Sequence, residues 1–266
     1  MSYAARRFSD ETSPESQLRG TIVTTPSLSQ TARFVNSAAR STGSAPNQPA
    51  YPLAEAARFV RVAPATLRTW VFGRSYVTKS GLRKFTPLIR PADARRHVLS
   101  FNNLVEAHVL RSLRTMHGTP LPQIRKAISY AERELEVERL LLSRELSTNG
   151  GDLFLDYYGQ LINLSKSGQL AMKRLLAAHL RRVEWDSSNL PRRLFPFTRA
   201  DDGADERLIV IDPQVGFGRP IIQRLGIATR VVVERLDAGE SLDEIVQDYG
   251  MTEDEATGAL LYEQAA

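Results

Sequence analysis

Amphipathic segments at helical spacing, separated by short extended runs that glycine and proline bound, predict a mainly α fold with small β elements, an α+β chain. The 266 residues suffice for about two small domains, and an apolar fraction of 42% is close to the globular norm. There is no cysteine, which excludes a disulfide framework, a thiolate zinc site and a thiol nucleophile. No run of about 18 apolar residues occurs, so no membrane span is expected. Arg6 and Arg7 lead into no apolar stretch, and Asp10, Glu11 and Glu15 are out of place in a transit peptide. The expected location is the cytoplasm.

Residues 1–50 are rich in Ser, Thr, Ala, Pro, Gln and Asn and are expected to be a disordered low-complexity segment. A short helix is expected over Leu53–Val60, with Leu53, Ala56, Ala57 and Val60 on one stripe. After a turn at Arg61–Ala63, Pro64 opens a second helix that runs to about Val71. Two short helices joined by three residues make a helix-turn-helix. Tyr76–Val77 and Leu82–Phe85 flank Lys79-Ser80-Gly81 as a basic hairpin. Ser100 is an N-cap for an amphipathic helix that ends at His117–Pro120.

A long helix is expected over Gln123–Leu146, its 127–148 portion serving as a dimerisation element. Residues 149–200 read as a small α+β module. Within it, Asp152–Asp156 and Gln160–Leu164 are expected to form a β-hairpin, and Gln169–Val183 a helix carrying Leu170, Leu175, Leu176 and Leu180. Residues 207–266 read as a strand at Leu208–Ile211, a Gly/Pro-rich stretch to Ile222, and three helices. Thr229, Ser241 with Glu244, and Thr252 with Glu255 are their expected caps.

Charge divides the chain. From Tyr51 to Tyr130 there are 14 basic and 3 acidic residues, a net of +11, whereas from Asp201 onward 5 basic face 15 acidic, a net of −10. Such a split fits one half that meets a polyanion and another that meets something else.

The stretch Leu53-x-Glu-Ala-Ala-Arg-x-Val-x-Val-Ala-Pro-Ala-Thr-Leu-Arg-x-Trp70, with Leu99-Ser-Phe-x-Asn-Leu-Val-Glu106 and Leu121-Pro-x-Ile-Arg125, resembles the winged helix-turn-helix of the MerR family. The resemblance covers 51–126 and implies DNA binding. Two positions depart from it: Arg61 stands where a turn glycine is usual, and Ala63 where a capping serine is usual. Residues Leu208–Glu263 are similar to a domain found in antitoxins. The resemblance rests on Ile211-Asp-Pro-x-Val-Gly-Phe-Gly-Arg-Pro-Ile-Ile222 and Ala238-Gly-Glu-Ser-Leu-x-Glu-Ile245. Such domains resemble the VapB-type partners of PIN-domain ribonuclease toxins.

Thr66, Arg68 and Thr69 are the expected groove-facing residues, while Leu67 and Trp70 belong to the core. Arg61, Arg74, Lys79, Arg83 and Lys84, together with Arg68, are the expected phosphate contacts. Phe217, Arg219, Tyr249 and Tyr262 are the expected partner contacts of the acidic domain, whose charge phosphates would repel. His97, His108, His117 and His179 have no ligand spacing, so no metal is expected. Gly216-x-Gly218 lacks the third glycine and the helix of a dinucleotide site, so no cofactor is expected either. No constellation supports catalysis. The two resemblances together imply a non-enzymatic, cytoplasmic antitoxin that binds operator DNA as a homodimer, represses its own operon and neutralises a PIN-like ribonuclease. The dimer would pair through Gln123–Leu146 or through Leu208–Tyr262. The alternative is a MerR-like transcriptional regulator whose middle module senses a small ligand.

Overall fold

The structure, a computed structural model, describes residues 45–78, 81–115, 121–197 and 207–264. Residues 1–44 of the expected low-complexity segment lie outside them. The described chain is mainly helical with three small antiparallel sheets, as the sequence predicts. No helix among the described residues is long and apolar enough to cross a membrane.

Strand β1 (Tyr51–Pro52) leads into α1 (Leu53–Phe59), and Pro64 opens α2 (Pro64–Phe72) at the first-turn position where its missing N–H costs nothing. The two helices bury Ala56, Ala57 and Phe59 against Leu67, Trp70 and Val71. Gly73 ends α2 with φ 75°, and a side chain there would meet the Phe85 carbonyl oxygen at 2.2 Å. That freedom lets β2 (Arg74–Thr78) and β3 (Gly81–Phe85) fold back as the expected hairpin, Val77 opposite Leu82. The return segment pairs β4 (Val98–Leu99) with β1. Ser100 then starts α3 (Phe101–Thr115): its hydroxyl accepts from Asn103 N–H, and Asn103 Oδ1 accepts from Ser100 N–H.

Helix α3 is the centre of the molecule. Every residue from Leu99 to Leu110 is buried, so the helix is wrapped on all sides instead of half exposed. Glu106 is buried with it and is satisfied by Asn103 Nδ2 and by an ion pair with Arg139 at 2.9 Å.

The expected long helix stops early. Helix α4 (Leu121–Glu134) ends where Glu136 and Arg139 take left-handed φ values, and two 3-10 turns follow at Leu140–Leu142 and Arg144–Ser147. Three consecutive leucines, all buried, cannot share one face of an α-helix, and the tight turn places all three in the core. The hairpin expected at 152–164 is also helical, forming α5 (Asn149–Leu161), which packs along α4. Gly150 and Gly151 lie inside its first turn rather than breaking the chain. Side chains there would meet the Glu145 and Leu146 carbonyl oxygens at 2.7 and 2.1 Å. Phe154, Leu155 and Tyr158 then bury at helical spacing.

Ser165 caps α6 (Lys166–Leu180), which lies on α3 and leaves Leu170, expected in its apolar stripe, 50% exposed. The stripe is instead Met172, Leu176, His179 and Leu180. Strands β5 (Val183–Trp185), β6 (Pro191–Leu194), β7 (Ile209–Ile211) and β8 (Pro220–Ile222) form one meander in that order. The middle segment and the acidic tail thus share a sheet, and a single core runs from Tyr51 to Ile211.

The tail adds α7 (Thr229–Asp237), α8 (Leu242–Tyr249) and α9 (Glu253–Gln264) around Val232, Ile245, Met251, Ala259 and Tyr262. Both expected capping boxes form, Ser241 with Glu244 and Thr252 with Glu255. Thr229 is not a cap. It is the first residue of α7, and its hydroxyl reaches the Pro220 carbonyl and Glu263.

His108 and His179 meet in the core with ring centroids 4.9 Å apart, beside Phe197. His108 Nε2–H donates to the His179 carbonyl and His179 Nδ1–H to the Leu175 carbonyl, 3.1 Å each. Burial, with Arg111 and Arg182 nearby, pushes His179 down to about 4; burial and the His179 ring hold His108 well below the usual imidazole range. Among the described residues no group of three or more His, Asp or Glu is placed to hold a metal. A folded-state value below the unfolded one means that the unfolded chain binds more protons, so stability falls as pH falls. The His179 contribution should be intact above an unfolded-chain value of about 6.5 and decline towards pH 4, by about 3 kcal/mol in all. Urea titrations across that window should show a shallower pH slope for His179→Gln than for the wild type. Identical slopes would mean that the imidazole does not titrate there.

Candidate nucleic-acid interface

Helix α2 presents Pro64, Ala65 and Arg68 to solvent, with Thr66 and Thr69 half-buried between them. This outer face lies opposite Leu67, Trp70 and Val71, which are in the core as expected. The Arg68 guanidinium lies 5.7 Å from the Phe72 ring centroid, so its planar group is steadied along the helix. Thr69 Oγ1–H donates to the Ala65 carbonyl at 2.9 Å. Arg74 and Lys84 are exposed on the hairpin, where Lys84 pairs in register with Ser75. Arg83 lies in β3 opposite Tyr76, and Lys79 falls outside the described residues. Sequence reasoning missed Val77 and Leu82, which face each other across the hairpin at 84% and 74% exposure. The signal was there: an apolar pair flanking a basic turn with no core to enter.

Arg61 has a different placement from the other expected phosphate contacts. It occupies the left-handed turn position at φ 52°, and its side chain turns into the junction with the tail. Its Nη2–H donates to the Leu261 and Tyr262 carbonyls at 3.2 and 3.5 Å, and its guanidinium carbon sits 5.4 Å from the Tyr262 ring centroid. A cation at a helix C-terminus is favoured by the macrodipole and by carbonyls left without intrahelical donors. In return, Tyr262 O–H donates to the Phe59 carbonyl at the end of α1, 3.1 Å away. Arg58 pairs with Glu263 at 2.8 Å, and Arg219 with Glu55 at 2.6 Å.

The expected partner contacts of the tail therefore separate. Tyr262 is fully buried, and burial beside Glu263 pushes its phenol well above the ordinary range. It is a junction residue, not a surface one. Arg219 is half committed to Glu55. Tyr249 is partly buried under the Arg235 guanidinium, 5.1 Å from the ring centroid. Phe217 alone stands clear, 96% exposed.

A helix-turn-helix followed by a hairpin, with arginine and threonine on the outer face of the second helix, is the architecture of a DNA-binding domain. Residues 49–128 match a family model described as "Putative DNA-binding HTH domain", and residues 209–262 match one described as "Protein of unknown function (DUF433)". The chain is 28% identical over 230 residues to a Mycobacterium tuberculosis protein named "Putative antitoxin VapB45", a match that covers 80% of this chain and 92% of the relative. The crystal structure of Rv2018 from Mycobacterium tuberculosis has the same fold at a TM-score of 0.58. It shares 23% identity, over 80% of this chain and 98% of that one.

The junction makes a stability prediction. Tyr262→Phe leaves the buried Phe59 carbonyl without its donor and should cost about 1–2 kcal/mol. Arg61→Ala removes the charge at the end of α9 and should cost a similar amount, about 1–2 kcal/mol. Denaturant midpoints at unchanged m-value check both. Midpoints equal to the wild type would place these side chains outside the folded junction.

Proposed function

We propose that this chain is a DNA-binding antitoxin of a type II toxin–antitoxin pair that neutralises a PIN-like ribonuclease and represses its own operon as a homodimer. The observation that carries the reading is the likeness to a relative named as an antitoxin along 92% of that relative's length. The same chain contains a segment matching a DNA-binding helix-turn-helix description. In a MerR-like winged arrangement, α2 enters the major groove with Thr66, Arg68 and Thr69, and Arg74, Lys79, Arg83 and Lys84 hold the phosphates. Arg61 is left out of that set because the tail holds it. The acidic tail faces the toxin, whose RNA-handling surface is basic. Two half-sites require two copies, and the apolar stripe of α4 (Ile124, Ala127, Ile128 and Ala131) is spent on the core. The dimer contact in this reading therefore lies outside that stripe.

One observation favours the second reading, a regulator that senses a small ligand. A cleft of about 330 Å³ opens in the middle segment over Leu146, Leu155, Leu176, Leu180 and Trp185, with Arg144 and Arg181 at its rim. Its size is that of a small-ligand site.

Operator affinity should fall steeply with salt, because phosphate contacts release counterions. Arg68→Ala should weaken specific binding by about 1–3 kcal/mol if Arg68 reads a base edge. Arg61→Ala should leave the salt slope unchanged. Co-expression with the product of the open reading frame beside this gene should relieve the growth arrest that product causes. Salt-independent binding would count against DNA binding in either reading, whereas no relief by the full-length chain would remove the antitoxin reading and leave the ligand-sensing regulator.

A further inference from the structure

Between β7 and β8 the chain makes a tight left-handed turn. Gly216, Phe217 and Gly218 follow one another at φ 57°, 54° and 71°. Two of the three are glycines, for which this conformation is free; the middle one is an aromatic residue, for which it is strained. Packing among the described residues does not offset the strain: Phe217 is 96% exposed, with Val215 beside it at 41%.

The turn is nonetheless fixed. Val215 N–H donates to the Asp212 carbonyl, Gly218 N–H to Val215 and Arg219 N–H to Gly216, at 2.9–3.0 Å. Asp212 is itself buried and paired with Arg193 at 2.7 Å, and its Oδ1 accepts from Gln214 N–H. On the other side Arg219 is tied to Glu55 of α1, and a side chain at Gly218 would meet the Tyr51 hydroxyl at 2.2 Å. A strained, pre-organised aromatic held out into solvent has already met the ordering cost that binding would otherwise impose. Exposed aromatics of this kind are the anchors of protein interfaces.

Charge selects the occupant. Arg219, Arg224, Arg230 and Arg235 are each paired to carboxylates within the protein. Exposed Asp237, Asp243, Glu253 and Asp254 then set the sign of the tail surface. A phosphate backbone would be repelled, whereas a protein with basic residues around an apolar pocket would be drawn in.

We infer that Phe217, presented by the left-handed Gly216–Gly218 turn, is the anchor that inserts into an apolar, basic-rimmed pocket of the protein partner. This rests on the antitoxin reading and names the contact within it. The test uses the full-length chain and the product of the neighbouring open reading frame as the probe, with Kd measured by calorimetry. Phe217→Gly should weaken binding at least tenfold, and Phe217→Tyr should stay within threefold of the wild type. Melting temperature should be unchanged or higher in Phe217→Gly, since glycine relieves the strain, and operator affinity and oligomeric state should be unaltered.

If the wild type binds and Phe217→Gly binds within threefold, the anchor is refuted while the antitoxin reading stands. If the wild type does not bind, both fall. Operator affinity lost in Phe217→Gly would instead make the side chain a wedge for nucleic acid. Lost self-association would make it a contact between copies, and either result overturns the proposal.

Discussion

Tyr262 and Arg61 tie the two ends of the described chain together by each closing a helix that belongs to the other. The phenol of Tyr262 completes the last turn of α1, and the guanidinium of Arg61 completes the last turn of α9. The Phe59 carbonyl at one helix end, and the Leu261 and Tyr262 carbonyls at the other, each take a side-chain donor from a residue about 200 positions away. The Tyr262 half of the exchange is dry, since Tyr262 and Phe59 are both almost wholly buried. A carbonyl stranded there would lose its partner with no water to replace it.

From that junction the rest of the architecture follows. With α9 pinned against α1, the tail cannot hang from the helix-turn-helix as a separate body. Its first strands instead extend the sheet begun by β5 and β6, and Ile211 enters the same core as Tyr51. The centre of that core is α3, buried on every side and therefore in need of internal partners for its polar groups. Asn103 and Glu106 find them in the Arg90 carbonyl, in Arg139 and in each other. The face of α2 that carries Arg68 is left outside all of this, which keeps a groove-reading role open to it.

Much of this was legible in the residues. Pro64 before an apolar stripe, and paired caps at Ser241/Glu244 and Thr252/Glu255, are local signals with local causes, and the structure repeats them. What was not legible depended on partners far along the chain. The Gly150-Gly151 pair reads as a break, yet it is a place where α5 must approach the backbone of the preceding turn. Leu140–Leu142 reads as one more stretch of helix, yet three adjacent apolar side chains sought the same core. Arg61 stands where a turn glycine is usual, and the basic residues around it in the sequence point to phosphates. Only the position of α9 shows what the Arg61 side chain does: it donates to the carbonyls at the end of that helix. The site was legible in the same proportion: the outer face of α2 followed from helical spacing, whereas the burial of Tyr262 and the isolation of Phe217 required the fold.

The junction makes α1 and α9 one cooperative unit. Native-state hydrogen exchange on the full-length chain, wild type against Tyr262→Ala, addresses this directly. If the account is right, the amides of α1 and α9 lose protection together in the variant, and by similar factors. If α1 keeps its wild-type protection while α9 alone opens, the helix-turn-helix does not depend on the tail, and the central claim is wrong.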